Sequence, residues 1–260
     1  MKNYFDLLKR IDKKGKIITT RGHKTKELIN EQLKVDDICL YSVDNVREDY
    51  DIQKYLFGEM CWYLAGNILV DGILPYSKFW KKVANKDGTV NSNYGYLVFH
   101  KVTKKTTQYN WCLKSLLNDE YSRQAVILYN DKDYYFKDNK DFVCTQLQQF
   151  FIRDNKLISI VYIRSSDCIR GITFDVPWWR LVQKQLCAEL KSKYKNLTEG
   201  DLIINFGSVH FYEEHFDLVK KMLRGKKRFY ELELRSKIIL GKDQKYYEDH
   251  YNDFIAFNEK

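Results

Sequence analysis

The sequence predicts an α/β (α+β) fold, a mixed β-sheet with long helices. Two observations carry this expectation. Residues 146 to 164 hold two strand-like runs split by a turn composition, and helical patterns flank them at 1 to 12, 55 to 64, 109 to 117 and 176 to 190.

Each element has a local reason. Phe5, Leu8 and Ile11 fall on one helical face with Leu7 beside them, so residues 1 to 12 read as an amphipathic helix. Tyr55 to Leu64 reads as a helix that stops at Ala65-Gly66-Asn67, where glycine suits a C-cap. Tyr109 to Leu117 is a further helix, and Ala125 to Tyr129 a strand. Gln146 to Arg153 and Leu157 to Arg164 form a hairpin through Asp154-Asn155-Lys156. After Gly171 a long helix is expected from Val176 to Leu190, with Pro177 in its first turn, where a missing N–H costs little. Leu202 to Tyr212 returns to strand. No linker composition or internal repeat divides the chain, so residues 1 to 260 are expected to form one domain.

The chain has 260 residues, 44 Lys+Arg against 35 Asp+Glu and a formal charge of +9. A chain of this size buries about three quarters of the surface its unfolded form exposes, so its core needs no staples. At 44% hydrophobic and 15% aromatic, disorder and collagen-like repeats are excluded. Cys39, Cys61, Cys112, Cys144, Cys168 and Cys187 include no CxxC and no zinc spacing, and read as free thiols in a reducing cytoplasm. The start lacks a secretory apolar segment, and no stretch nears the ~18 apolar residues of a membrane span. No metal and no membrane partner are expected. The positive charge suits a nucleic-acid partner, a small anionic substrate or mere solubility. Lys220, Lys221, Arg224, Lys226, Lys227 and Arg228 crowd one helix end and the loop after it. They read as a solvated helix C-terminus or as a nucleic-acid patch, the latter lacking interleaved stacking aromatics.

Chemistry concentrates around Cys144. If the hairpin pairs as expected, Cys144 and Arg164 lie toward one end of it, where a guanidinium would lower the thiol pKa and offer an anion site. Taken alone, Cys144 reads as an inert buried thiol, the far commoner fate of a lone cysteine.

Cys144-Thr145, Gln149 to Asp154, Arg164-Ser165-Ser166-Asp167, Gly171 and Phe174-Asp175 together resemble the thymidylate synthase family. The pattern extends upstream to Gly58 to Leu64, Trp80, Asn91-Ser92-Asn93-Tyr94-Gly95 and Asn118 to Arg123, and downstream to Gly207 to Tyr212. The resemblance implies the thymidylate synthase fold, a homodimer through the sheet face, and 5,10-methylenetetrahydrofolate as one-carbon donor. It implies Cys144 as the nucleophile toward C6 of a pyrimidine nucleotide, Glu59 as general acid/base and Tyr94 as an aid to proton removal from C5. Asp167, Trp80 and Phe174 would face the folate. Arg164 and Ser165, with Arg21 and with Arg123 of the neighbouring subunit, would hold the phosphate, and His210 and Tyr212 the sugar hydroxyl. Outside that context Glu59 reads as a helix-surface carboxylate, Asp167 as a turn residue, Trp80 as core, and His210 and Tyr212 as packed strand residues.

Four departures point to one branch. Asp175 stands where thymidylate synthases carry the asparagine that reads uracil; a carboxylate suits the amino group of cytosine, and a helix N-cap is its rival role. Thr145 and Ser208 stand where His and Asp are usual, leaving room for an ordered water beside Glu59. Asp253 to Lys260 lacks the proline-containing apolar tail that closes the thymidylate synthase site, so water is admitted. These resemble the bacteriophage deoxycytidylate hydroxymethylases, with dCMP as substrate, no nucleic acid required, and a phage-infected bacterial cytoplasm as setting. Gln124 replaces a second arginine and weakens phosphate binding from the partner. A deoxycytidylate methyltransferase shares the same first half-reaction, and a non-catalytic nucleic-acid-binding paralogue would use the 220 to 228 cluster.

Overall fold

The computed structural model describes residues 2–35, 40–42, 52–225 and 228–259. In chain order the elements are α1 (Lys2–Lys14), β1 (Lys16–Thr20), β2 (His23–Val35), β3 (Leu40–Ser42), α2 (Ile52–Ala65), α3 (Phe79–Val83), β4 (Val102–Thr103), β5 (Thr106–Thr107), α4 (Gln108–Asn118), β6 (Val126–Leu128), β7 (Thr145–Arg153), β8 (Lys156–Asp167), α5 (Gly171–Leu190), β9 (Thr198–Tyr212), α6 (Phe216–Arg224), β10 (Arg228–Leu234), α7 (Gln244–Phe254) and β11 (Ile255–Glu259). The fold is mixed α/β, as expected.

A six-stranded sheet in the order β1-β2-β9-β8-β7-β6 is the scaffold. All its pairs are antiparallel except β8 with β9, which run parallel across the long α5 crossover. The β7–β8 turn forms because Asp154 (φ 51°) and Asn155 (φ 55°) both accept the left-handed conformation a two-residue hairpin requires. Arg21 (φ 50°) and Gly22 (φ 80°) do the same between β1 and β2, a hairpin the sequence reading did not assign.

The two faces of the sheet differ. On one, the row Ile127, Gln148, Val161, Ile204 and Leu33 is fully buried. Gln148 is satisfied there, since its Nε2 donates to Trp179 O of α5 and to Ser159 Oγ. The next row, Leu128, Leu147, Tyr162 and Asn205, points the other way, and Leu128 and Tyr162 remain 54% and 45% exposed.

The long helix starts earlier than expected. It runs from Gly171, so Pro177 lies in the second turn and not the first, and is buried in the core. That placement leaves the Thr173 carbonyl without its i→i−4 donor. It also removes Asp175 from the N-cap position, which Arg170 occupies.

A second, three-stranded sheet has β10 between β3 and β11. Residues 255–259 pair along β10 from Leu234↔Ile255 to Tyr230↔Glu259. Lys220, Lys221 and Arg224 are exposed at the end of α6, with Lys220 Nζ 3.1 Å from Asp217; Lys226 and Lys227 lie outside the described residues. Cys61, Cys112, Cys144, Cys168 and Cys187 form no disulfide, and Cys39 lies outside the described residues. Among the described residues no helix is long and apolar enough to cross a membrane.

Candidate active site

Cys144 immediately precedes β7, and Arg164 of β8 folds its guanidinium back over it. Arg164 Nη2 lies 3.4 Å from Cys144 Sγ and donates to Phe142 O at 2.5 Å, while Nε donates to Val143 O at 3.2 Å. The thiol is nonetheless not lowered. Burial pushes its pKa above the ordinary value, and Arg164, with a smaller contribution from Arg21, pulls it only part of the way back. The guanidinium thus pulls in the expected direction, but desolvation outweighs it and the net shift is upward.

Tyr94 is brought to Cys144 by two devices. Asp141, three residues before the cysteine, accepts from Asn91 N (2.6 Å), Ser92 N (2.8 Å) and Ser92 Oγ (2.6 Å), so one buried carboxyl ties the two segments together. Gly95 then lets the loop lie on α2, since an added Cβ would overlap the Tyr63 carbonyl. Tyr94 consequently stacks on Tyr63 with ring centroids 5.4 Å apart, and its hydroxyl accepts from Thr145 Oγ1 at 2.9 Å.

Glu59 is buried on α2 and is not a surface carboxylate. Tyr55 O–H donates to its Oε1 at 2.5 Å and Tyr63 O–H at 3.4 Å, four residues either side on the same helical face. Burial raises its pKa from 4.5 to about 7, the two hydroxyls opposing the rise. Asp175, from the second turn of α5, is pushed well above the carboxylate range by burial and then by the Glu59 charge. Its charge is felt by Cys144, Tyr94 and Tyr63, so α2, the 91–95 loop, the start of β7 and α5 converge on one space. A thiol beside a guanidinium, with two carboxyls whose pKa values burial raises and a buried phenol, can add to a ring and move protons on it.

The thymidylate synthase family profile matches residues 2–257. The chain belongs to the thymidylate synthase family. It is 30% identical over 216 residues to the deoxycytidylate 5-hydroxymethyltransferases of Enterobacteria phages T4 and T6, covering 80% of this chain and 84% of each relative. It is 27% identical over 261 residues to the thymidylate synthase of Buchnera aphidicola, covering 98% of this chain and 94% of that protein. The chain is therefore a thymidylate synthase-like enzyme, of a family of folate-dependent one-carbon transferases that use methylenetetrahydrofolate with a nucleotide.

The remaining positions expected from thymidylate synthases fall into two groups. Phe174 meets Tyr55 edge-on at 4.6 Å, and Trp80 Nε1 donates to Tyr55 O–H at 2.9 Å while packing against Trp62. Phe79 beside Trp80 is largely exposed. This aromatic wall, with the half-buried Asp167 at the start of the α5 turn, fits a planar pterin bearing N–H donors. Asp167 also has the turn role, its Oδ1 accepting from Ile169 N at 2.8 Å. Trp80 is likewise a core side chain, buried between Trp62 and Tyr55.

The second group comprises the positions expected at the phosphate and the sugar. Ser165 is half-buried on β8 opposite Ser208 of β9. His210 is buried and its pKa lowered by that burial; its ring meets Tyr212 edge-on at 5.3 Å. Arg21 is exposed at the β1–β2 turn yet contributes to the field at both Cys144 and Tyr212. Arg123 is not brought to Cys144. It is exposed beyond β7, where its carbonyl accepts from Gln149 Nε2. The Thr145 and Ser208 hydroxyls are engaged locally, Thr145 donating to Tyr94 and Ser208 to Glu27 Oε1 at 2.5 Å. Among the described residues no group of three or more His, Cys, Asp or Glu is placed to hold a metal ion.

Sequence reasoning missed Tyr55, Tyr63, Asp141 and Glu27. The first two were findable, because they sit at i−4 and i+4 from Glu59.

Proposed function

We propose that this protein is a deoxycytidylate 5-hydroxymethyltransferase acting on dCMP. The observation that carries the reading is Asp175, a carboxyl in the space shared by Cys144 and Glu59, where burial and the Glu59 charge push it well above the carboxylate range and favour its neutral form. A neutral carboxyl donates to N3 of cytosine and accepts from its 4-amino group at once. As Cys144 adds to C6, N3 becomes more basic and takes the Asp175 proton, leaving a carboxylate that accepts two N–H groups. With uracil the proton would have to pass to O4, a far weaker base than cytosine N3. The names of the phage relatives support the same choice, as deoxycytidylate 5-hydroxymethyltransferases.

Each residue then has a task. Arg164 shields the developing thiolate, and Arg164, Ser165 and Arg21 receive the phosphate. His210 and Tyr212 meet the sugar. Tyr94 and Glu59 handle the C5 proton, and Glu59 orients the water that completes the hydroxymethyl group. Methylenetetrahydrofolate, when bound, supplies a carbon at the methylene level; Trp80, Phe174 and Asp167 would hold it. The half-exposed sheet face around Leu128 and Tyr162 suits an isologous homodimer, in which Arg123, at its rim beside Gln149, would serve the neighbouring subunit. The phage names of the relatives support a cytoplasmic role in an infected bacterium.

Mass spectrometry of the product from dCMP and methylenetetrahydrofolate tests the reading. The expected product is 5-hydroxymethyl-dCMP without stoichiometric dihydrofolate. A methylated product with matching dihydrofolate makes the enzyme a methyltransferase, and turnover of dUMP alone removes the cytosine assignment.

A further inference from the structure

We infer that Tyr55, oriented by Trp80, is a positioning residue that commits Glu59 Oε1 and leaves Oε2 as the oxygen that exchanges protons. The inference deepens the proposed function and rests on Glu59 being its acid/base.

The direction of the hydrogen bonds fixes the roles. An indole N–H can only donate, so Trp80 Nε1 occupies a lone pair of the Tyr55 hydroxyl at 2.9 Å. The single Tyr55 proton is then free to point at Glu59 Oε1, 2.5 Å away. Tyr63 O–H adds a longer bond to the same oxygen, at 3.4 Å. No described residue hydrogen-bonds Oε2. An oxygen that accepts two hydroxyls is a poor place for a proton, so the proton Glu59 carries resides on Oε2. The chain Trp80 to Tyr55 to Glu59 also runs from the aromatic wall into the catalytic space, so the side chain meant to pack on the folate is the one that orients the acid. Phe174 closes the other side of the Tyr55 ring at 4.6 Å, which holds the hydroxyl in line.

The groups that face Glu59 are Tyr55 and Tyr63 from its own helix, Asp175 from α5, and Tyr94 from the 91–95 loop through its contact with Tyr63. Of these, Tyr55 is the strongest donor and Asp175 the opposing charge. Removing Tyr55's hydroxyl therefore moves Glu59 titration to higher pH.

The test is a carboxyl NMR titration of protein labelled with δ-13C glutamate, the Glu59 resonance being assigned by its loss in Glu59→Gln. In Tyr55→Phe, which keeps the ring, Glu59 should titrate about one pH unit higher, a tenfold change in proton affinity. Tyr63→Phe should move it less, and Trp80→Phe, which removes the orienting N–H together with part of the ring system, should move it in the same direction. With dCMP, kcat of Tyr55→Phe should fall and its limb shift upward in pH, while KM holds. An unmoved Glu59 in folded Tyr55→Phe, or an equal shift in Tyr63→Phe, overturns the inference. If Tyr55→Phe does not fold, an unmoved Glu59 in Trp80→Phe overturns it instead. Expected shifts in an enzyme that does not turn over dCMP would leave Tyr55's role standing and overturn the proposed function.

Discussion

Replacing Glu59 by glutamine should stabilise the protein at alkaline pH while removing its activity. The amide keeps the shape of the side chain, and its oxygen still accepts from Tyr55 and Tyr63. What disappears is a buried charge. In the folded protein Glu59 titrates at about 7, against 4.5 for the ordinary carboxyl, so between those values the folded state retains a proton that the unfolded chain has released. The stability contributed by this group is whole below 4.5 and lost as pH climbs through about 7. At about 1.4 kcal/mol per pH unit, the full loss at pH 8 is roughly 3 kcal/mol. Glutamine has nothing to lose, and removing the Glu59 charge also relieves Asp175, which adds in the same direction. Urea midpoints followed by tryptophan fluorescence at pH 5 and pH 8 should show Glu59→Gln gaining roughly 2 to 3 kcal/mol more at the higher pH. A gain that is the same at both, or a mutant weaker than wild type at pH 8, would refute the account of Glu59 as a carboxyl held up by burial.

Asp175→Asn should move the kcat/KM preference from dCMP toward dUMP by a factor of about 5 to 150, since one mispaired buried polar contact costs ~1 to 3 kcal/mol; an unchanged ratio takes base choice away from this residue. Cys144→Ser should abolish turnover while nucleotide binding persists in calorimetry. Cys112→Ser and Cys187→Ser should keep it, their thiols being pushed by burial to about 12 and about 11. Inactive Arg123→Ala mixed with inactive Cys144→Ser should regain activity after subunit exchange, because one site of the mixed dimer inherits both residues; no recovery argues that Arg123 serves no neighbouring site. Gly95→Ala should cost several-fold in kcat and lower the melting temperature, because its Cβ overlaps the Tyr63 carbonyl; a wild-type melt would show that the loop is free to move away.

The hairpin at Asp154-Asn155 was legible because it depends on two residues tolerating a left-handed backbone, a property each carries locally. The start of α5 was not. Local preference puts proline in a first turn, but burial of Val176, Pro177, Trp178 and Trp179 against the sheet holds the helix through it. The β1–β2 hairpin was hidden by composition, since Lys, Thr and Glu dominate an edge that stays partly exposed. At the site, Cys144 and Arg164 were placed together correctly, because hairpin pairing fixes them. The sign of the thiol shift was not, because burial of a thiol depends on every segment that closes over it. Asp141 and Ser92 lie 49 positions apart, and nothing local in either announces their bond.

That Asp141 bond makes the Cys144 segment and the Tyr94 loop a single unit against thermal fluctuation. The amide hydrogens of Asn91 and Ser92 are both held by one carboxylate oxygen, so they can exchange with solvent only when that oxygen lets go. The same release frees the Tyr94 loop from the Cys144 segment. Deuterium uptake at these two amides should therefore rise in step, and its opening constant would measure how often the protein visits a state in which Cys144 and Tyr94 are parted although the sheet beneath remains intact.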